Sequence, residues 1–526
     1  MTDAAREALR GDAPHDVAIV GFGPVGATLA CLLAQRGLSV LVLERDAEIY
    51  RLPRAIHFDG EVMRVFQSIG LAHALAPGLE TSPGMRFVDA GGHVLIDWRR
   101  PPGIGPQGWH AGYKFHQPTL ERMLRERLAA IGSAHVRLRH ETFALDEVAL
   151  EDGVADADGA PGADGGGGAD GAVRLRFEDL SSGRLHEARA RWVVGCDGAR
   201  STVRRFMGTE LEDLRSHERW LVVDVVLTRE RPDLGDHSIQ YCDPARPATY
   251  VRGVGMRRRW ELMLLPGEAP AEMTRPETLW RLLSRWVTPD DAVLERPACY
   301  TFHSVVARGW RRGRLLIAGD AAHQTPPFLG QGMCAGIRDA SNLAWKLADV
   351  VRGRAPASLL DTYESERAPH VREFIEAAVR LGGVIQTTDP EAARRRDAEM
   401  RARPLAFTTP APRLGPGAHA GGEGPAGRIG EQPVLGDGRR LDDAAGDRHA
   451  LLVDAGLADA ARAAAGDRAV VLVADSDASR DWLARLGARA VWLRPDRYVA
   501  GVAGDARGVA ALVRSAHQAA EPVLRQ

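Results

Sequence analysis

A glycine-rich turn set between a buried strand and a helix limits what this chain can fold into more than any other feature. Val17-Ala18-Ile19-Val20 is an unbroken apolar run, Gly21-Phe22-Gly23-Pro24-Val25-Gly26 follows at once, and 27–35 reads as a helix ended by Gly37. Strand, turn and helix in this order form a dinucleotide cradle. Gly21 permits the tight turn, Gly23 lets the backbone approach a pyrophosphate, and Gly26 lets helix and strand pack closely while the helix N-terminus faces negative charge. A second apolar run at 40–43 ends at Glu44, where a carboxylate can meet a ribose hydroxyl, and Arg45 beside it is assigned to the same site. The competing reading is a glycine turn that holds nothing.

Glu44 does not distinguish NAD from FAD, so the choice falls to two later motifs. These are Asp197-Gly198-Ala199-Arg200-Ser201-Thr202-Val203-Arg204 and Gly319-Asp320-Ala321-Ala322-His323, the latter preceded by an apolar run at 315–318 and followed by Gln324 to Met333. With all three motifs in order, the chain resembles the class A FAD-dependent aromatic monooxygenases, the phenol hydroxylase-like flavoproteins, over most of residues 15–385. Within them it is most similar to the 3-(3-hydroxyphenyl)propionate hydroxylase group, on Gln331-Gly332-Met333-Cys334-Ala335-Gly336-Ile337-Arg338-Asp339-Ala340, Asn342-Leu343-Ala344-Trp345-Lys346-Leu347 and Tyr241-Cys242-Asp243-Pro244.

The resemblance implies that Asp197 lies between the flavin and nicotinamide regions and that Asp320 meets the ribityl and pyrophosphate. It also implies that Arg54 reaches the FAD ribose or phosphates, that Gln117 lies near the flavin, and that Pro327, Gly332 and Met333 belong to the loop beside the isoalloxazine. The alternative for Arg54 and Gln117 is a surface or cap role. Relatives often carry Asn where Cys334 stands.

The expected fold is α/β: a Rossmann-like FAD-binding domain, a mostly antiparallel-sheet substrate domain, and a C-terminal thioredoxin-like domain lacking CxxC. Expected boundaries are 15–205 for the first part of the FAD-binding domain, 206–300 for the substrate domain, and 301–407 for the second part with its helices. A linker at 408–427 is rich in Pro, Gly and Ala, and 428–526 is the C-terminal domain. The substrate domain is read from alternating segments at 220–227, 238–241, 249–251 and 260–265. In the C-terminal unit, strands at 450–453, 469–473 and 490–493 alternate with helices at 457–464, 479–486 and 508–519. No cysteine follows Cys334, so this unit has no dithiol chemistry, and its expected role is structural or in a homodimer. The Gly-Ala-Asp stretch 153–172 is read as a loose loop, too apolar-poor to order itself.

Composition excludes several classes. The 68 basic and 70 acidic residues nearly cancel, which argues against a nucleic-acid surface, and no apolar run approaches a membrane span, so a cytoplasmic protein is expected. Five cysteines, Cys31, Cys196, Cys242, Cys299 and Cys334, form no metal-ligand spacing, and no metal is expected.

Hydroxylation through a flavin C4a-hydroperoxide, as the resemblance implies, consumes dioxygen and NADH or NADPH and needs a group to take the phenolic proton. His57, Tyr241 and Tyr250 are the candidates, in that order. Arg246 and Arg252 are candidates for a substrate carboxylate. The expected substrate is a small phenol, foremost 3-(3-hydroxyphenyl)propionate or a related phenylpropanoid acid hydroxylated ortho to the hydroxyl. Resorcinol, another phenol or a polyketide ring is the alternative, and a flavin-bound protein that holds an aromatic without oxidising it is the reading outside enzymes.

Overall fold

Continuous apolar runs build the first sheet. In the computed structural model, which describes residues 13–50, 54–149, 171–403, 407–422 and 424–518, the strand His15–Val20 lies between Val40–Glu44 and Arg184–Gly195. Ala134–Leu138 and Leu315–Ile317 extend it on the two sides, and all five strands are parallel. Val17, Ala18, Ile19, Val193 and Val194 expose no surface. A parallel sheet covered on both faces requires such runs in place of alternation. The Pro24–Gln35 helix packs beside Gln117–Ile131, with the Cys31 thiol 3.5 Å from the Leu124 carbonyl, and crosses Gly332–Val351 near both N-termini. The expected loop at 153–172 falls mostly outside the described residues; Gly171 and Ala172 already belong to the strand Gly171–Asp179.

The second sheet is antiparallel except at one junction. Its order is His323–Gln324, Ala292–Ala307, Leu211–Leu227, Arg257–Met263, Ala248–Arg252, Ser238–Tyr241, Gly84–Val88 and Val94–Arg99, with Ser238–Tyr241 and Gly84–Val88 parallel. Two features differ from the boundaries expected from sequence. The hairpin between residues 84 and 99, from inside 15–205, joins this sheet, and Ala292–Ala307 runs through residue 300 without a break. Alternation divides the side chains cleanly. Leu221, Val223, Val225, Tyr250, Trp260 and Leu262 share one face with Leu279 and Leu283 of the Pro276–Leu283 helix, whereas Trp220 faces Phe328 on the other, at 5.6 Å between rings.

The C-terminal sheet has the order Ala469–Val473, His449–Val453, Ala490–Leu493, Val499–Ala503, the first pair parallel and the others antiparallel. Val499–Ala503 was not among the strands expected from sequence, its Gly501 and small residues giving a weak strand signal. The described residues of 408–427 contain no helix or strand, yet they are fastened to the Asp361–Ile385 helix. Gly415 N–H donates to the Glu366 carbonyl at 3.0 Å, Ala418 N–H to Glu366 Oε1 at 2.6 Å, and Ser365 Oγ–H to the Pro416 carbonyl at 2.6 Å.

Glu366 is also the ionic centre of the junction. Its buried carboxylate accepts from Lys346 Nζ at 2.8 Å, Asn342 Nδ2 at 2.8 Å and both terminal nitrogens of Arg494 at 2.8 and 2.9 Å, while Arg494 also pairs with Asp496. Burial opposes ionisation of Glu366, but Arg494 and Lys346 override it and hold the carboxyl well below its usual range. Because the folded-state value is depressed, the stabilisation is complete at neutral pH and is lost as pH falls below the unfolded range of about 4.3. Arg494→Met is expected to cost about 3–5 kcal/mol in urea unfolding of the full chain at pH 7, the cost of stranding a buried charge. The gap from wild type is expected to narrow below about pH 4. Equal urea midpoints at pH 7 would show that Arg494 does not hold the junction.

Candidate functional site

The glycine turn closes by close backbone approach. Gly21 has φ +102°, and a Cβ there would stand 2.4 Å from the Cys196 carbonyl oxygen; one on Gly26 would stand 2.1 Å from the Gly21 oxygen. Gly23 differs, since a Cβ there would meet no atom within 4 Å. It is the N-cap of the Pro24–Gln35 helix and no side chain caps that end. The unmet N–H groups and the positive end of the helix therefore face open space, the arrangement that receives a pyrophosphate. Glu44 is fixed at the rim, accepting from Phe22 N–H at 2.6 Å and Asp46 N–H at 2.8 Å, with Arg45 exposed beside it.

The second motif folds on itself and grips the third. Asp197 Oδ2 accepts from Thr202 N–H at 2.6 Å and Val203 N–H at 3.2 Å, and Ser201 Oγ accepts from Arg204 N–H at 3.0 Å. Arg204 then donates to the Ala199 carbonyl at 2.7 Å and to the Ala321 carbonyl at 2.8 Å. Next to Ala321, the Asp320 carboxylate is surrounded by protein yet accessible, as on the floor of a cleft. Desolvation pushes its pKa up, and His323 and Arg54 pull it back. His323 itself is buried and committed to Asp339 at 2.6 Å, which also accepts from Gly319 N–H at 3.1 Å and Arg367 Nε at 2.9 Å. It braces the loop.

A second helix also presents an uncapped end. Gly332–Val351 starts after Gln331 with no side-chain cap, a Cβ on Gly332 would meet nothing within 4 Å, and Met333 and Pro327 are half-buried beside it. Two open helix N-termini, an accessible Asp320 and the Glu44 rim suit the two ends of FAD, a diphosphate and an electron-accepting ring.

His57 lies at this second end. The first carbon of any side chain at Gly330 would stand 3.6 Å from His57 Nδ1, and Nε2 accepts from the Arg100 guanidinium, which leaves the ring hydrogen on Nδ1. Burial, then the Arg100 charge, hold its pKa well below the usual histidine range, so the imidazole is neutral at neutral pH. Gln117 is buried and works through the backbone: Oε1 accepts from Arg54 N–H at 2.9 Å and Ala55 N–H at 2.7 Å, and Nε2 donates to Glu121 at 2.8 Å. That amide fixes the segment carrying exposed Arg54, whose guanidinium lies 5.3 Å from the Tyr50 ring.

Tyr241 and Tyr250 are not brought to this cleft. Sheet alternation turns both to the opposite face, Tyr241 5.2 Å from the Trp286 ring and Tyr250 5.2 Å from that of Trp260, under the Pro276–Leu283 helix. The tyrosine on the cleft side is Tyr300, which the sequence reading missed. Its half-buried hydroxyl is raised to about 12 by burial and by its hydrogen bond with Tyr50, against the pull of Arg54 and Arg259. Its cross-strand partner Trp220, already on the cleft side, is the signal that places it.

The expected carboxylate-binding arginines also have other partners. Arg246 forms a two-point pair with Glu268 at 2.6 and 2.7 Å, and Arg252 lies 3.6 Å from Glu80. Arg259, unforeseen, pairs with Asp224 at 2.8 and 2.9 Å and donates to the Arg54 carbonyl at 2.8 Å. Away from the cleft, strand pairing brings one ligand atom each of His140, Asp179 and His186 within 4.8 Å, a juxtaposition invisible to the spacing rules behind the no-metal expectation.

A family described as an FAD binding domain matches residues 14–158 and 165–378. A probable NADH-specific resorcinol 4-hydroxylase of Rhodococcus jostii (strain RHA1) is 38% identical across 97% of this chain and 96% of its own length. A 3-(3-hydroxy-phenyl)propionate/3-hydroxycinnamic acid hydroxylase of Mycobacterium sp. (strain JLS) is 36% identical over 74% of this chain, which spans 64% of that relative. The crystal structure of the flavin-dependent monooxygenase PieE with FAD and substrate shares the fold, with TM-score 0.80 at 23% identity over 97% of this chain and 99% of that one.

The two glycine roles read from the sequence have separable consequences. Gly23→Val is expected to leave the ligand-free Tm near wild type while weakening FAD binding about tenfold or more, since its side chain fills ligand space; undiminished affinity would contradict the placement. Gly26→Val is expected to lower the ligand-free Tm itself, by overpacking worth about 1–3 kcal/mol. Arg100→Gln is expected to raise the His57 titration, read by histidine NMR, because it removes a neighbouring positive charge while burial still holds it low.

Proposed function

The chain belongs to the FAD-binding-domain family of flavin-dependent monooxygenases and is an FAD-dependent aromatic hydroxylase, and from that premise we propose that it hydroxylates a small uncharged phenol of the resorcinol type, using NADH. One observation carries the choice of substrate class. Three arginines of this sheet and its loops are already matched by carboxylates: Arg259 by Asp224, Arg246 by Glu268 and Arg252 by Glu80. A neutral ring asks nothing of them. The full-length similarity to a relative named as an NADH-specific resorcinol hydroxylase supports the same reading.

Bound FAD, reduced by the nicotinamide, supplies the activated dioxygen that hydroxylates the ring. The chain's own residues bind, orient and manage protons. The open N-termini at Gly23 and Gly332 would hold the diphosphate and stabilise negative charge on the reduced ring, with Asp320, Glu44 and Arg54 along the length between them. His57, neutral with Nε2 accepting from the Arg100 guanidinium, keeps its ring hydrogen on Nδ1 and would act at this end by orienting the Gly330 turn, not as the base. Tyr300, with its pKa near 12, stays protonated and acts as a donor towards Tyr50.

A second reading, hydroxylation of 3-(3-hydroxyphenyl)propionate, is favoured by Arg100 itself, whose contacts are His57 Nε2 and the Trp98 ring with no carboxylate among them. Burial lowers its pKa to about 10, against the opposing pull of Asp59, so it remains a cation able to meet a substrate carboxylate. The C-terminal unit is read as thioredoxin-like, supported by its 2-1-3-4 strand order with one parallel and two antiparallel pairings, and as structural in role.

The test is NADH oxidation with resorcinol and with 3-(3-hydroxyphenyl)propionate, coupled to product mass. Resorcinol is expected to stimulate turnover and gain one oxygen atom, with Arg100→Met leaving its KM nearly unchanged. A product from the propionate alone, with KM raised about tenfold or more by Arg100→Met, would replace the first reading with the second. No oxygenated product from any phenol would overturn both.

A further inference from the structure

Tyr498 reaches from the C-terminal unit into the first domain and ends a chain of polar contacts that leads to the cleft. Its ring is buried, and its hydroxyl donates to Glu61 Oε1 at 2.8 Å while lying 3.1 Å from His370 Nε2. The other oxygen of Glu61 accepts from Arg338 Nε at 2.7 Å. Arg338 has its remaining nitrogens on two different elements: one donates to Asp59 Oδ2 at 2.6 Å and one to Gln331 Oε1 at 3.0 Å. Gln331 Nε2 closes the ring on Asp59 at 3.2 Å. Every link is direct, and the guanidinium is buried.

The two ends of this relay are the parts of the cleft that matter. Gln331 is the N-cap position of the Gly332–Val351 helix, so its side chain sets where the Gly332 and Met333 N–H groups point. Asp59 ends the His57–Asp59 strand and caps the following helix, accepting from Val62 N–H at 3.1 Å, so it sets where the His57 ring lies. Arg338 holds both at once. A planar fork with fixed donor directions transmits a displacement of Glu61 to both ends, which a mobile ammonium would not.

We propose that Tyr498 is a positioning residue for the flavin site: through Glu61 and Arg338, the C-terminal unit sets the geometry of the Gln331–Met333 turn and of His57. This rests on the reading of that turn as the isoalloxazine contact. It gives the unit a function that needs no cysteine. Other contacts of the junction, among them Arg494 with Glu366 and Arg64 with Asp442 at 2.8 and 2.9 Å, anchor the unit so that the Tyr498 side chain is held in place.

Tyr498→Phe removes one oxygen and keeps the ring. FAD affinity of the ligand-free protein is expected to weaken roughly 2- to 30-fold, the range found when a connecting residue is lost. The visible absorption band of the bound flavin is expected to shift, and the product formed per NADH consumed to fall, with ligand-free Tm close to wild type. Glu61→Gln, which keeps an acceptor for Tyr498 but removes the charge facing Arg338, is expected to move the same three readouts. Asp443→Ala, which deletes the 2.6 Å contact from Gln67 at the same junction without touching the relay, is the control and is expected to move none. Wild-type affinity, spectrum and coupling in both Tyr498→Phe and Glu61→Gln would overturn the proposal. Changes in those readouts in all three variants would also overturn it, by showing general loosening. Failure of the wild-type chain to bind FAD would overturn the flavin reading itself, a distinct result.

Discussion

Val25, Gly319 and Gly336 meet so closely that no further carbon fits between them. A Cβ on Gly336 would lie 2.5 Å from a Val25 methyl and 3.0 Å from the Gly319 Cα. This contact sets the crossing of the Pro24–Gln35 and Gly332–Val351 helices and places both open N-termini along one cleft, with the Asp320 loop between them. Unpaired N–H groups add positive potential at both ends of the site, beside the guanidinium groups of Arg54 and Arg100. That arrangement leaves the side chains of the cleft free for protons and for the substrate ring.

Residues whose role depends on local geometry were legible in the sequence. Gly21 is called for by its positive φ and Gly26 by its contact with the Gly21 oxygen, and the buried parallel strands are written as apolar runs. Roles that depend on which way a strand faces were not. Tyr241 and Tyr250 have the residue type for a proton carrier, but strand alternation turns both away from the cleft. Alternation could have been carried across the sheet from Trp220 to its neighbour Tyr300, but only once the pairing of Leu211–Leu227 with Ala292–Ala307 was known. Arg246 failed for a related reason: its partner Glu268 lies in a loop whose fold the sequence does not disclose.

Ion pairs over long separations were the least visible. Glu61 with Arg338, and Glu366 with Arg494, join segments 277 and 128 residues apart, and 68 basic against 70 acidic residues offer too many pairings to choose among. Burial selects them. A charge without a complement in the interior costs several kcal/mol, so those few that are buried must meet partners, and the fold decides which.

Glu366 ties these observations to the history of the chain. It binds the 408–427 strap through backbone N–H groups, the C-terminal unit through Arg494, and its neighbour helix through Lys346 and Asn342. The unit is therefore no interchangeable cassette. Recombination that swapped the C-terminal unit between relatives would succeed only where the recipient's carboxylate and the donor's guanidinium travelled as a matched set. Lineages should accordingly inherit or lose the two together.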